Sequence, residues 1–474
     1  MTSSLPNVLA QRYASEAMVA LWSPRHKVIL ERRLWLAVLE AQSRLGMDVP
    51  AGVVEDYQRV LDDVDLASIE ARERVTRHDV KARIEEFCAL AGHQHIHAAM
   101  TSRDLTENVE QAQVRDALAI VGDRMVAALA RLARLATEHA GMVMAARTHN
   151  VPAQATTLGK RFASAGTELL VALARVEALL ARYPLRGIKG PVGTSLDQLD
   201  LLGGDAGRLA ELEAEVAERL GFEAGLTSVG QVYPRSLDLD VVSALVQAAA
   251  APASLATTIR LMAGHGLATE GFAAGQVGSS AMPHKVNTRS CERLCGLSSV
   301  LGGHLTMVGT LAGTQWNEGD VSCSVVRRVA LPDAFLAADG LFETFLHVLD
   351  GFAPYPRAIA AELAAELPFL ATTRVLVAAV RAGMGREEAH AAIQGHALAA
   401  AEARRSGGDV GDLFQRLAAD ERIPLDRAAL DELVADPSAF VGAAAAQVQA
   451  FADEVAKVSA RHPGAAAYSP GPLL

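Results

Sequence analysis

The sequence predicts an all-α chain: an elongated central bundle of long helices flanked by smaller N- and C-terminal helical domains. Three observations carry the helical expectation. Half of the residues are hydrophobic and only 4% are aromatic, so helix-favouring Ala, Leu, Val, Glu and Arg dominate. Apolar residues recur at helical spacing over runs far longer than the roughly 11-residue average helix. Short polar stretches separate these runs, and no sustained heptad with paired charges points to independent coiled coils.

Residues 1–24 read as an irregular arm that carries Arg12-Tyr13, a pair ordinarily found at a surface. Ile29, Leu30, Leu34, Leu36, Val38 and Leu39 predict a helix from His26 to Leu45, which Gly46 ends. Asp65 to Ala91 reads as one or two helices containing Thr76-Arg77-His78-Asp79-Val80. His93, His95 and His97 then alternate. No Cys or carboxylate is spaced to complete a metal site there, so none is expected. Thr101 or Ser102 suits the cap of the next helix.

That helix steps through Leu118, Val121, Met125, Leu129, Leu132 and Leu135 to about Ala140. A polar interruption around Arg147-Thr148-His149-Asn150 precedes a second long run from Thr156 to Tyr183. After a Gly/Pro-rich linker, a short helix spans about Asp205 to Leu220. Long runs follow from Ser236 to Gly264, from Arg289 to about Leu311 and from Val325 to Leu349. Pro252 inside the first of these predicts a kink. Shorter helices fill the rest, with breaks at Gly383, Gly407-Gly408 and Pro424. The expected domains are 1–104, 105–352 and 353–474, the last ending in a flexible tail from Pro463.

The formal net charge of −11 argues against a protein that binds nucleic acid electrostatically. Cys88, Cys291, Cys295 and Cys323 are too scattered for a disulfide framework, which suits a reduced, cytoplasmic setting. No signal peptide is legible, and no apolar run reaches the roughly 20 uncharged residues needed to span a bilayer.

The most chemically loaded stretch is Gly271 to Glu292, GFAAGQVGSSAMPHKVNTRSCE. Glycines make its backbone permissive, Pro283 stops a helix from running through it, and Asn287 or Thr288 could cap a helix from Arg289. Such a loop suits holding an anion near a reactive group. Polar segments recur at the ends of the long runs, at 76–80, 94–104, 147–154, 228–235, 276–287 and 315–328. Helix ends cluster in a bundle, so these segments can converge on shared clefts.

Gly278-Ser279-Ser280-Ala281-Met282-Pro283-His284-Lys285-Val286-Asn287 closely resembles the GSSxMPxKxN signature of the fumarase/aspartase superfamily. Arg77-His78-Asp79-Val80, Thr101-Ser102 with Asp104, Arg147-Thr148-His149 before Pro152-Ala153-Gln154, Gln315-Trp316-Asn317-Glu318 and the Arg12-Tyr13 arm resemble the adenylosuccinate lyase family within it. The likeness runs from the arm to about Pro332. It implies a homotetramer with active sites shared between three subunits, a small-molecule substrate, no nucleic acid or membrane partner, and no metal or organic cofactor. The reaction implied is β-elimination of fumarate from succinylated purine nucleotides.

Elimination needs a base for a carbon acid, an acid for the leaving nitrogen, and stabilisation of the anionic intermediate. Ser279 is the candidate base and Ser280 its competitor; either needs help from Lys285 or loop N–H groups. His149 is the candidate general acid for the leaving nitrogen. His78 is a second active-site histidine, near the phosphate or tuning His149. The resemblance gives the substrate carboxylates to Thr101, Ser102, Thr148, Lys285 and Asn287, with Asp79 and Gln231 also at the substrate. It gives the phosphate and ribose side to Arg12, Tyr13, Arg77, Ser324 and Arg328. On this reading the loop is a lid that carries Ser279 into the cleft.

The chain departs from the family at Thr288, where many relatives have Pro, and at Ala98-Ala99, where a glycine is common. At Gly319 the family commonly has an Arg, whose contact Arg327 or another residue would have to supply. Rival readings are another superfamily member (argininosuccinate lyase, fumarase, aspartase or the muconate-cycloisomerising branch) and a non-catalytic helical scaffold.

Overall fold

The computed structural model describes residues 6–272, 281–282, 284–407 and 412–472. The arm holds two short helices, α1 (Val8–Arg12) and α2 (Glu16–Leu21), capped by the side chains of Asn7 and Ser15. Then come α3 (Pro24–Arg44), α4 (Val53–Arg59), α5 (Leu66–Thr76) and α6 (Asp79–Ala91). The bundle follows with α7 (Ser102–Glu138), a hairpin of β1 (Val143–Thr148) and β2 (Val151–Thr157), and α8 (Leu158–Arg182). Next are α9 (Leu196–Leu201), α10 (Ala206–Arg219), α11 (Ser236–Gly264), β3 (Ala268–Thr269), α12 (Arg289–Gly309) and α13 (Cys323–Gly351). Beyond β4 (Ala353–Pro354) come α14 (Pro356–Leu370), α15 (Thr372–Arg381), α16 (Arg386–Arg405), α17 (Asp412–Ala418), α18 (Arg427–Val434), a 3-10 turn at Pro437–Phe440, α19 (Ala444–Arg461) and α20 (Pro463–Ala466).

The all-α expectation holds, and the helix boundaries follow the residues that predicted them. α7, α8, α11, α12 and α13 pack side by side as the central bundle. α7 has 37 residues, so its axis runs about 55 Å at 1.5 Å per residue. Its seam of Leu118, Val121, Met125, Leu129 and Leu132 is fully buried. Truncating Leu129 to Ala there is expected to cost about 2–5 kcal/mol through lost contacts and a cavity. Pro252 and Pro332 lie inside α11 and α13 without ending either helix. α11 is long and apolar enough by composition to cross a bilayer, where no such run was expected. Its Val241, Leu245, Ala248, Leu255 and Ile259 belong to the bundle core.

Beside the two short helices in an arm expected to be irregular, three features differ from expectation. The interruption at 145–152 is an antiparallel hairpin, with Thr148 opposite Val151 and a register shift at Ala146/Arg147. Its strands are too short and too weakly alternating to announce themselves by period. α19, inside the expected C-terminal domain, returns Val448, Phe451, Val455 and Val458 to the bundle core, while residues from Ala371 to Leu430 form a separate core. The tail from Pro463, expected to be flexible, is anchored through residue 471. Tyr468 donates to Glu343 at 2.8 Å, Arg131 donates to the Tyr468 carbonyl at 3.1 Å, and His347 Nε2 is 2.6 Å from the Gly471 carbonyl.

Candidate functional site

The polar segments gather at two places, one at each end of α7. The N-terminal end is an ion-paired cluster. Thr101 is the N-cap of α7 and Ser102 its first residue. Asp104, three residues on, accepts the Thr101 N–H at 2.8 Å through Oδ2. Its Oδ1 accepts from Arg186 Nη1 at 2.6 Å and from the backbone N–H groups of Lys189 and Gly190, each at 2.9 Å. One buried carboxylate thus fixes the start of α7 against the 184–193 linker.

Glu107, one turn along, accepts from Arg103 at 3.1 Å, from Arg235 at 2.9 Å and from the Tyr233 N–H at 3.2 Å. Arg103 also donates to Ser324 Oγ at 2.9 Å. Arg327 donates to Asp238 at 2.7 Å and Glu110 at 2.5 Å, and meets the Tyr233 hydroxyl. Burial raises the Glu110 pKa, but Arg327, Lys27 and Arg235 outweigh it and bring the carboxyl to about 2. The Gln231 N–H donates to the Glu318 carbonyl at 2.6 Å, and at Gly230 an added Cβ would stand 2.0 Å from that same oxygen. Segments 94–104, 228–235 and 315–328 therefore form one body.

The 76–80 segment reaches this body. Arg77 is exposed with a left-handed backbone, φ 52°. His78 is the N-cap of α6: its Nδ1 accepts the Lys81 N–H at 3.2 Å, so Nε2 is the nitrogen left to face outward. Asp79 accepts the Val80 N–H at 2.8 Å and pairs with Arg83 at 3.0 Å, and Arg328 comes within 4.0 Å. Burial raises the Asp79 pKa; Arg83, Val80 and Arg328 together bring it below the ordinary value. The histidine row is occupied otherwise. His93 contacts Asp56 at 2.7 Å, and His97 Nδ1 accepts from Trp35 at 3.0 Å, its pKa lowered to about 4 chiefly by burial.

The opposite end of α7 carries the hairpin. Thr148 and His149 are exposed at its tip, and His149 and Asn150 have φ of 52° and 61°. Two consecutive left-handed residues are what a two-residue hairpin turn of this hand requires. Residues 281–282 and 284–288 lie at this end too. β3, which precedes them, pairs with β4 after α13, and Glu270 accepts the N–H groups of Ser290 and Cys291 at 2.9 and 2.8 Å. Glu270 therefore caps α12. Thr288 holds the N-cap position but makes no side-chain cap bond. Lys285 is exposed and Asn287 half-buried. Ser279 and Ser280 lie outside the described residues.

Arg12 is exposed at the end of α1, and Tyr13 packs on Gly340 of α13, with the Arg293 guanidinium 5.1 Å from its ring centroid. The chain thus brings Arg77, His78, Asp79, Thr101, Ser102, Gln231, Ser324 and Arg328 towards one end of α7. It holds Thr148, His149, Lys285 and Asn287 at the other, about 55 Å of helix away.

Arg327 cannot stand in for an arginine at 319, because it is buried and committed to three acidic side chains. Gly319 itself has φ 131°, and a Cβ there would come within 3.0 Å of Val232. A side chain at this position is strained whatever its chemistry. Sequence reasoning missed Arg103 and Glu107. Their i, i+4 spacing was legible, but their pairing with Ser324 and Arg235 joins residues more than a hundred positions apart.

Residues 23–303 match the family described as Lyase, and residues 368–451 match that described as Adenylosuccinate lyase C-terminus. The chain is 36% identical over 449 residues to the adenylosuccinate lyase of Saccharomyces cerevisiae, covering 94% of this chain and 93% of that one. It is 35% identical to the adenylosuccinate lyase of Schistosoma mansoni, with the same coverage. Among solved structures, a 3-carboxy-cis,cis-muconate lactonizing enzyme from Pseudomonas putida superposes with a TM-score of 0.82 at 18% identity, covering 96% of this chain and all of that one. A fumarate lyase from Mesorhizobium sp. BNC1 gives 0.80 at 22% identity, covering 95% of this chain and all of that one. At these identities the structures share the fold.

Proposed function

The chain belongs to the adenylosuccinate lyase family, and from that membership we propose that it eliminates fumarate from adenylosuccinate, leaving AMP, and from the succinyl-carboxamide ribotide of purine synthesis. The observation that carries the reading is the match of residues 368–451 to a C-terminal family named for this enzyme, alongside a match over most of the chain to enzymes of that name. The catalytic region alone would fit several branches of the superfamily.

In the proposed reaction Ser279, or Ser280 beside it, removes a proton from the succinyl carbon next to the one that carries nitrogen. The carbon–nitrogen bond breaks, its electron pair goes to the purine nitrogen, and His149 supplies a proton there. His78 tunes His149 or faces the phosphate. Thr101, Ser102, Thr148, Lys285 and Asn287 hold the two carboxylates, whose negative charge grows as the proton leaves. Arg12, Tyr13, Arg77, Ser324 and Arg328 hold the phosphate and ribose, with Asp79 and Gln231 beside them. Arginine suits phosphate because its planar fork donates two hydrogen bonds at once. The reaction draws on no metal or organic cofactor.

The length of α7 supports an oligomeric site. Groups at its two ends cannot reach one small substrate within one chain, so complementary ends must come from neighbouring copies. A homotetramer with sites shared between three subunits, working in the cytoplasm in purine nucleotide biosynthesis, is the assembly we propose.

The test is to add adenylosuccinate to the purified protein and follow its absorbance and fumarate release. Turnover of argininosuccinate or malate in its place would overturn the assignment. In the active enzyme, Ser279→Ala is expected to lose most of kcat while assembly stays unchanged. Near-wild-type activity in that variant would move the base role to Ser280 or to another residue.

A further inference from the structure

The hairpin tip that presents His149 is held from outside the hairpin. His149 and Asn150 are both left-handed, and neither is glycine. Such residues cost on the order of 1 kcal/mol or more each and persist only where their surroundings fix them. Arg147, just after the register shift, makes that connection. Its Nη1 donates to the Asn150 carbonyl at 3.3 Å, and its Nη2 donates to Glu362 on α14.

Glu362 is only 15% exposed. One of its oxygens takes Arg147, and the other is buried without a hydrogen-bond partner among the described residues. Arg161 of α8 is within electrostatic reach of both. Burial lowers its pKa most, Glu362 raises it, and Arg147 lowers it again. The carboxylate therefore sits among cations from the hairpin and from α8. One turn along α14, Glu366 holds Arg404 of α16 at 2.7 Å, which ties the same helix to the C-terminal set.

We propose that Glu362 is a positioning residue for His149. By fixing Arg147 it fixes the Asn150 carbonyl, and through it the left-handed turn that aims the imidazole. The proposal rests on His149 being the proton donor. Glu362 touches no reacting atom, so its loss should reduce the fraction of complexes in which the ring is correctly placed and leave substrate affinity alone.

The test uses the full-length oligomer and two readouts. The first is kcat and KM for adenylosuccinate. The second is hydrogen exchange across residues 143–157. Glu362→Ala is expected to lower kcat roughly 10- to 100-fold, the scale of a misplaced catalytic group, with KM within about twofold. Exchange across the hairpin should accelerate. Glu362→Asp should recover part of both, and Arg147→Lys should reproduce the loss because an ammonium cannot bridge two acceptors as a guanidinium does. Wild-type kcat in Glu362→Ala, or a fall in kcat with unchanged hairpin exchange, would overturn the proposal. Should Glu362→Ala fail to assemble, Glu362→Gln keeps the shape and is judged by the same two readouts. If the wild-type protein does not turn over adenylosuccinate, the reaction assignment fails by itself, and the exchange measurement still decides whether Glu362 holds the turn.

Discussion

The two ends of α7 are built in opposite ways. At the N-terminal end Asp104, Glu107, Glu110 and Asp238 each meet an arginine, and the first, second and fourth are fully buried. At the C-terminal end His149 and Lys285 are exposed, on a hairpin tip and in a loop. The first end is tied together by buried charges that need one another as partners. The second presents groups whose chemistry needs access to a substrate and, on our reading, to a neighbouring subunit. The difference separates two jobs: charge networks hold the helix ends in place, and the exposed end, in the proposed reaction, carries the proton transfer.

Substitutions at the two ends should therefore fail in different ways. The largest effect is expected from His149→Ala: kcat falls about 10²- to 10⁴-fold, the contribution typical of a general acid. The thermal midpoint and assembly stay as in the wild type, read by calorimetry beside the fumarate assay. Arg327→Ala should do the reverse. It leaves Asp238, Glu110 and Glu107 without a shared cation and is expected to cost about 3–5 kcal/mol in a denaturant titration. A His149 variant that unfolds, or an Arg327 variant as stable as the wild type, would break the comparison.

Asp339 offers an intermediate effect, midway along α13. It is fully buried, accepts the Ser15 N–H at 2.6 Å, and has Arg124 at 3.7 Å. Burial, with Glu343 adding to it, raises its pKa from 3.8 to about 6 against the pull of Ser15 and Arg124. A carboxyl whose folded pKa is raised binds more protons folded than unfolded between those two values. Stability should therefore decline as pH rises from about 4 to about 6, by up to about 3 kcal/mol from this group. In Asp339→Asn this contribution should be absent. Glu31, whose pKa burial raises to about 7, adds a decline of its own, so the test is the difference between the two curves; wild type and Asp339→Asn running parallel across this window would remove Asp339 from the account.

The smallest effect sharpens the ion-paired end. Ala99 lies just before α7 with φ 53°, a conformation that glycine adopts without a Cβ clash. Ala99→Gly is expected to stabilise the protein by about 1 kcal/mol, less the entropy of a freer unfolded chain. A loss of stability would show that the left-handed turn is not strained.

Several parts of the site were legible in the sequence because they are local. Thr101 with Asp104 is a capping spacing, and α6 begins just after His78. The signature loop stands out by its letters alone, although Ser279 and Ser280 fall outside the described residues. Other parts were not legible. The cap of α12 was expected from Asn287 or Thr288 and comes from Glu270, on the far side of the loop. The hairpin under His149 looked like a break between helices, because its turn uses His-Asn where Asn-Gly would have announced it. Arg327 looked available and is buried.

The sequence alone determined the fold class, the lengths of the bundle helices and the set of candidate side chains. Each of these follows from periodicity, composition or a short motif, and needs no knowledge of what lies across the bundle. Only the tertiary structure decided which charges are committed to one another and which are left for a substrate. An arginine in a buried network and one facing solvent read identically in the chain; desolvation, and the partners it demands, set them apart. It also decided that the two halves of the candidate site stand at opposite ends of one 37-residue helix, a separation that only helix geometry imposes.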